Sequence, residues 1–225
     1  MIPSMSLESR PPAPAHPGGS EDAGGPEDPH RQRLRLLDDP VAIRALAHPV
    51  RLDLQALIGR AGQITAADAA RELGISHGLA SHHLRQLAKY GFVEQAPGKD
   101  NRERPWRLTH TSTSWREAMG TPEGQAAAAV FEEVLAERAV ASLRGWLRRR
   151  GDWPGEWQQH TGVGASTIYL TGPELAELEA AIEGLIKRYV DERPIDDVAS
   201  RPEGSVPVDI TQIISVPLAA PPGDS

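Results

Sequence analysis

Apolar positions recur at helical spacing in four consecutive stretches between residues 39 and 90, each bracketed by residues that start or stop a helix. Asp39 and Pro40 supply a capping carboxylate and a residue whose missing N–H is harmless in a first turn, so a short helix is predicted over 39–47. His48 and Pro49 repeat that signal, and Val50, Leu54, Leu57 and Ile58 then share one face until Gly62. Thr65 caps a third helix, with Asp68 three residues on as a weaker capping box, Ala69 and Leu73 turned inward and Gly74 as the stop. Ser76 caps a fourth helix that runs to about Tyr90, where Gly91 closes it. Wound at about 100° per residue, this helix gathers Ala80, Leu84 and Leu87 into an inward stripe. Gly78, Ser81, His82, Arg85 and Lys89 fall on the other side.

After Gly91 the period changes. Residues 92–95 and 106–109 are short β-compatible runs, and the segment between them holds Pro97, Gly98, Lys99, Arg102, Arg104 and Pro105. That reads as a hairpin with a charged tip. Three helices and a hairpin, with a tight glycine turn joining the last two helices, form the layout of a winged helix-turn-helix domain, expected over 31–115.

The second half reads differently. A helix over 121–150 carries Val130, Phe131, Val134, Leu135, Leu143, Trp146 and Leu147, an apolar stripe too long for one small domain and therefore suited to a second subunit. Residues 166–170 are a strand candidate. Thr171, Pro173 and Glu174 open a further helix to about Val190, with Leu175, Leu178, Ile182, Leu185 and Ile186 expected inward. Residues 206–218 alternate imperfectly through Val208, Ile210, Ile214 and Val216. A small acidic α+β unit over 151–220, serving dimer contact or effector sensing, is the expectation. The fold class is thus mainly α with small β. Trp146, Trp153, Trp157 and Tyr169 fit core packing better than a ligand pocket.

Composition narrows the chemistry. The 225 residues contain no Cys, which excludes disulfides, thiolate zinc sites and cysteine nucleophiles and suggests a reducing, cytoplasmic setting. No run of about 18 apolar residues suggests a membrane span. Residues 1–30 hold seven Pro and four Gly with few large apolar side chains, so a disordered tail is expected there. The net charge is −7, but it is unevenly distributed: residues 31–110 carry thirteen bases and eight acids, and residues 166–225 four bases and eleven acids. A positive stretch within an acidic chain suits a partner with negative charge on one face. Gly162 and Gly164 before Ser166 lack the strand and helix of a phosphate loop or nucleophile elbow, so no enzyme activity or catalytic residue is expected. His82 and His83 point about 100° apart on their helix and are poorly placed to share an ion, so no metal site and no cofactor are expected.

Several of these motifs carry a family resemblance. Residues 46–51 (Leu-Ala-His-Pro-Val-Arg), 69–76 (Ala-Ala-Arg-Glu-Leu-Gly-Ile-Ser), 81–87 (Ser-His-His-Leu-Arg-Gln-Leu) and 91–93 (Gly-Phe-Val) resemble the DNA-binding domain of ArsR-family bacterial regulators. The resemblance covers about 70 residues. It implies a homodimer that binds an imperfect palindrome in double-stranded DNA, as a transcriptional repressor released by a small effector. The chain departs from the metal-sensing members, having no Cys on the third helix and no His on the long later one. It looks more like non-metal members with an added C-terminal domain.

On this reading His77, Gly78, Ser81 and His82 face the groove, with Gly78 permitting close approach, and Arg85 and Gln86 reach bases or backbone. Ser76 offers its hydroxyl and the helix N-terminus to a phosphate. Lys99, Arg102 and Arg104 lie along the flanking backbone or enter a minor groove. An alternative is a protein-interaction module built on the same fold, with weak or no specific DNA binding.

Overall fold

The computed structural model describes residues 32–97, 104–193, 195 and 197–216. The expected tail over 1–30 and the wing-tip residues Lys99 and Arg102 lie outside the described residues.

Strand β1 (Gln32–Leu36) precedes helices α1 (Pro40–Leu46) and α2 (Pro49–Ala61), and strand β2 (Gln63–Ile64) leads into α3 (Ala66–Leu73) and α4 (His77–Lys89). The helix boundaries follow the capping chemistry. The Asp39 carboxylate accepts from the Val41 N–H at 2.8 Å, His48 Nδ1 from the Val50 N–H at 3.2 Å, and Thr65 Oγ1 from the Asp68 N–H at 3.1 Å. The turn between α3 and α4 rests on Gly74. Its φ of 64° is left-handed, a conformation glycine adopts without steric cost, and Ile75 N–H then reaches back to the Ala70 carbonyl at 3.0 Å.

Strands β3 (Val93–Gln95) and β4 (Trp106–Leu108) pair antiparallel as the hairpin pattern predicts, and β2 joins the other edge of β4. Trp106 is buried in this sheet, consistent with wing packing. Thr109 Oγ1 donates to the Gly91 carbonyl at 2.6 Å and so ties the base of the wing to the end of α4. A second sheet was not foreseen: β1 lies parallel to β5 (His110–Ser114), with Leu34 opposite Ser112.

The core lies between these elements. Ile43, Leu46, Leu54, Ile58, Leu84 and Leu87 are fully enclosed, and Phe131 reaches in from α5 (Pro122–Arg149). Each such side chain stabilises the fold by about 1.5–3 kcal/mol. The foot of α5 is set by a close approach: a Cβ on Gly124 would lie 1.7 Å from the Ala118 carbonyl oxygen, in the 3-10 turn Arg116–Gly120. Trp115 packs edge-on against Phe131 at 4.9 Å, and Arg138 pairs with Asp53 of α2 at 3.0 Å.

Beyond α5 come α6 (Gly155–His160) and α7 (Gly172–Glu192). α7 starts as expected, with a reciprocal capping box between Thr171 and Glu174. The rest departs from expectation. Residues 166–170 are not a strand, and neither are the described residues of 206–218; both are exposed and have no ladder partner among the described residues. Their β-branched composition supplies the propensity, but a strand exists only when another backbone accepts its hydrogen bonds. The described residues after Gly151 are therefore helical with extended connections instead of α+β. On α7, Leu175, Leu178, Ile182 and Ile186 are only half-buried, and Leu185 is 68% exposed, contrary to the inward expectation.

The C-terminal segment still touches the first domain. Arg201 donates to the carbonyls of Arg60, Gly59 and Ile195 at 2.7–3.2 Å, and Ile195 sits over Gly59, where no side chain intervenes. Trp146, Trp153 and Trp157 form an edge-to-face series with centroids 5.3 and 6.0 Å apart, a packing arrangement at the end of α5.

Candidate nucleic-acid interface

The buried stripe of α4 determines which side chains face out. Ala80, Leu84 and Leu87 are anchored in the core, so the helix cannot rotate without exposing them. Ser76, His77, Gly78, His82, Arg85 and Lys89 are consequently exposed, while Ser81 and Gln86 are half-buried at the margins. The structure thus places Ser76, His77, Gly78, Ser81, His82, Arg85 and Gln86 along one ridge. Arg104 is exposed on the wing, just before β4.

Local chemistry refines several roles. Ser76 Oγ already accepts from the Leu79 N–H at 3.2 Å, so its hydroxyl proton is what remains for an incoming acceptor. A Cβ on Gly78 would meet no atom within 4 Å, so the fold places no demand for glycine there. Arg107 is engaged across the wing by Glu94 at 2.7–2.8 Å. Lys89 lies over the Tyr90 ring at 5.3 Å.

Leu79 escaped the sequence reading. It is 41% exposed between Gly78 and Ser81, and an apolar side chain in that position suits contact with a thymine methyl group. The signal was present, since Leu79 lies about 100° off the stripe that begins at Ala80.

Behind the ridge sits a histidine pair that links two helices. His83 is only 6% exposed and its ring centroid lies 4.4 Å from that of His48, while His82 meets His83 edge-on at 5.3 Å. His83 is packed there, and its Nδ1 has no partner among the described residues. Burial, reinforced by His48, Arg51 and His82, pushes the His83 pKa down to about 4. Burial and Arg51 also lower the pKa of His48, whose Nδ1 is occupied as a helix cap. Both rings are therefore neutral at pH 7, and they act as packing that fixes α4 against the start of α2. Arg51 is half-buried here, with its Nε unpartnered among the described residues.

Among the described residues no group of three or more His, Asp or Glu is arranged to hold a metal ion, and no helix is long and apolar enough to cross a membrane.

Comparison with known proteins adds one local identification. No curated protein matches the chain. Solved structures that it resembles include the heme sensor protein PefR in complex with heme and carbon monoxide (22% identity, 64% of this chain and 76% of that one, TM-score 0.27). Another is PefR from Streptococcus agalactiae in complex with heme (19% identity, 72% and 86%, TM-score 0.28). Residues 46–96, from the end of α1 through β3, match the helix-turn-helix domain family, and the whole exposed ridge of α4 lies inside that match.

Proposed function

We propose that this chain is a sequence-specific DNA-binding transcriptional regulator of the ArsR type, acting as a homodimeric repressor on an imperfect palindrome, and not an enzyme. One observation carries the reading. The outward face of α4 combines small residues in its first turn with hydrogen-bonding groups one and two turns on, and the protein itself leaves that face uncovered.

In this account α4 enters the major groove with Gly78 nearest the base edges. His77, Ser81 and His82 read those edges, Leu79 meets a thymine methyl, and Arg85 and Gln86 reach bases or backbone. Ser76 and the first turn of α4 approach a phosphate, where the helix N-terminus favours negative charge. Lys99, Arg102 and Arg104 follow the flanking backbone or minor groove. Each phosphate neutralised adds about 0.9 to the salt slope of log affinity, so binding weakens steeply as salt rises.

Dimerisation is supported by the exposed stripe on α5, and a two-fold axis would present two α4 helices about 34 Å apart. A small-molecule effector, if one acts, would enter through the C-terminal segment. The test is a double substitution, His82→Ala with Arg85→Ala, measured by DNA-binding titration against selected fragments. Loss of specific binding by about 100-fold or more, with the unfolding midpoint unchanged, supports the reading. Unchanged binding transfers the role to a protein-interaction surface.

A further inference from the structure

Arg51 differs from the other bases near the α4 ridge because the protein gives its charge nothing to pair with. It lies in the first turn of α2, half-buried, with Nε sealed from solvent and unpartnered among the described residues. Residues 40–52 and 76–91 contain no Asp or Glu, and Asp53, the nearest acid in sequence, is engaged by Arg138 of α5 at 3.0 Å. The groups around Arg51 are His48, which caps its helix, His83, and the Tyr90 phenol at the end of α4. Burial lowers the pKa of Arg51, and Tyr90 opposes that shift. Taking a cation out of water without a hydrogen bond costs stability, so such a group calls for a partner from outside the fold.

Its position supplies one. His82, Gln86 and Tyr90 lie four residues apart on α4, so each steps about 40° around the helix toward the side held by α2, and His83 lies about 100° from His82 in the same sense. His82 is exposed, Gln86 and Tyr90 are half-buried, and His83 is buried against His48 at 4.4 Å. Arg51 therefore borders the ridge about a quarter-turn from its outermost line. A helix with its side chains is about 10–12 Å wide and the major groove about 12 Å, so a group flanking the helix there meets the sugar-phosphate backbone instead of the bases. The positive end of the 13-residue helix α2 favours an anion at the same point.

We propose that Arg51 is a backbone clamp: its guanidinium binds one phosphate of the duplex strand that runs along the α2 side of α4, and so fixes the depth and angle at which the ridge enters the groove. This rests on the DNA-binding reading above and adds to it a contact from a different helix. A phosphate supplies the acceptor oxygens that Arg51 lacks, in a geometry that suits the guanidinium fork. His48 and His83 are neutral at pH 7 and packed behind it, so the contact counts as one phosphate per subunit.

The test is a salt series of DNA-binding titrations with the full chain, on a selected fragment and on a random duplex, with unfolding midpoints measured alongside. Arg51→Gln should weaken binding to both duplexes by about tenfold and lower the slope of log affinity against log salt by about 0.9 for each subunit bound. The ratio of selected to random binding should stay as it was, unlike that of His82→Ala, and folding should be unimpaired because no intramolecular partner is lost. Arg51→Lys, which keeps the charge, should keep the slope. Weaker binding by Arg51→Gln at an unchanged slope, or loss of its fold, makes Arg51 a packing residue and overturns the proposal. A slope for Arg51→Lys as shallow as that of Arg51→Gln, or a changed ratio in Arg51→Gln, overturns it too. Unchanged affinity and slope in Arg51→Gln overturn it while the DNA-binding reading stands. An unsubstituted chain that binds neither duplex overturns that reading, and this proposal with it.

Discussion

The winged domain and the C-terminal segment differ most in how completely each covers its own apolar residues. Between Leu37 and Phe131 most of the large apolar side chains converge on one core, and Ile43, Leu54, Ile58 and Leu84 are sealed. After Trp157 no described residue is buried, Tyr169 is 99% exposed, and Ile168, Val208, Ile210, Ile213 and Val216 lie open. An element that encloses its own apolar face can fold alone, whereas one that does not calls for a second surface. Under the proposed function the two regions do different work: the first presents the recognition ridge, and the second supplies surface for association.

The largest effect that separates the regions is expected in the core. Leu84→Ala removes a fully buried side chain from the stripe that orients α4, and should lower stability by about 3 kcal/mol in urea unfolding. A loss below about 1 kcal/mol would mean that the stripe does not anchor the ridge.

Acid should produce the next largest change. Folded His83 is held neutral down to about pH 4, whereas in the unfolded chain it binds a proton near its ordinary value of 6.5. The unfolded state thus carries more protons between these values. The stabilisation is complete above pH 6.5 and is lost as pH falls toward 4, at a cost of about 3 kcal/mol. His83→Gln should show a shallower decline over the same interval, since it cannot titrate. An identical decline in both proteins would remove the histidine pair from the account.

A smaller effect is expected at Gly78. Gly78→Ala should leave folding intact or slightly improved, because the added methyl group meets open space and alanine favours helix. It should still weaken specific DNA binding by about tenfold if the backbone approaches base edges there. Unchanged affinity would move the closest approach elsewhere on the ridge. The smallest effect belongs to Leu185→Ser. With the side chain 68% exposed, stability should shift by no more than about 0.5 kcal/mol in urea unfolding. A shift comparable to that of Leu84→Ala would erase the contrast between the regions.

What could be read from the sequence tracks the range of the interactions involved. Caps and stops are local, so Asp39, His48, Thr65, Ser76, Gly74 and Thr171 located their helix ends to within a residue or two. The α4 ridge was legible for the same reason, since Ala80, Leu84 and Leu87 dictate it by spacing alone. The β1 and β5 pair was not, because its strands lie more than 70 residues apart and β5 reads His-Thr-Ser-Thr-Ser, with no apolar alternation. Residues 166–170 mislead in the opposite direction, having strand composition without a ladder partner among the described residues. The contact of His83 with His48 joins two helices through tertiary packing, which a helical wheel of α4 does not contain.

The central claim is that the α4 ridge reads duplex DNA twice, once from each subunit. Selection of bound fragments from random duplex DNA by the purified full-length protein tests it most directly. The account predicts enrichment of an inverted repeat whose half-sites lie about one helical turn apart, near 10–11 base pairs centre to centre. Recovery of fragments with no common sequence would contradict it.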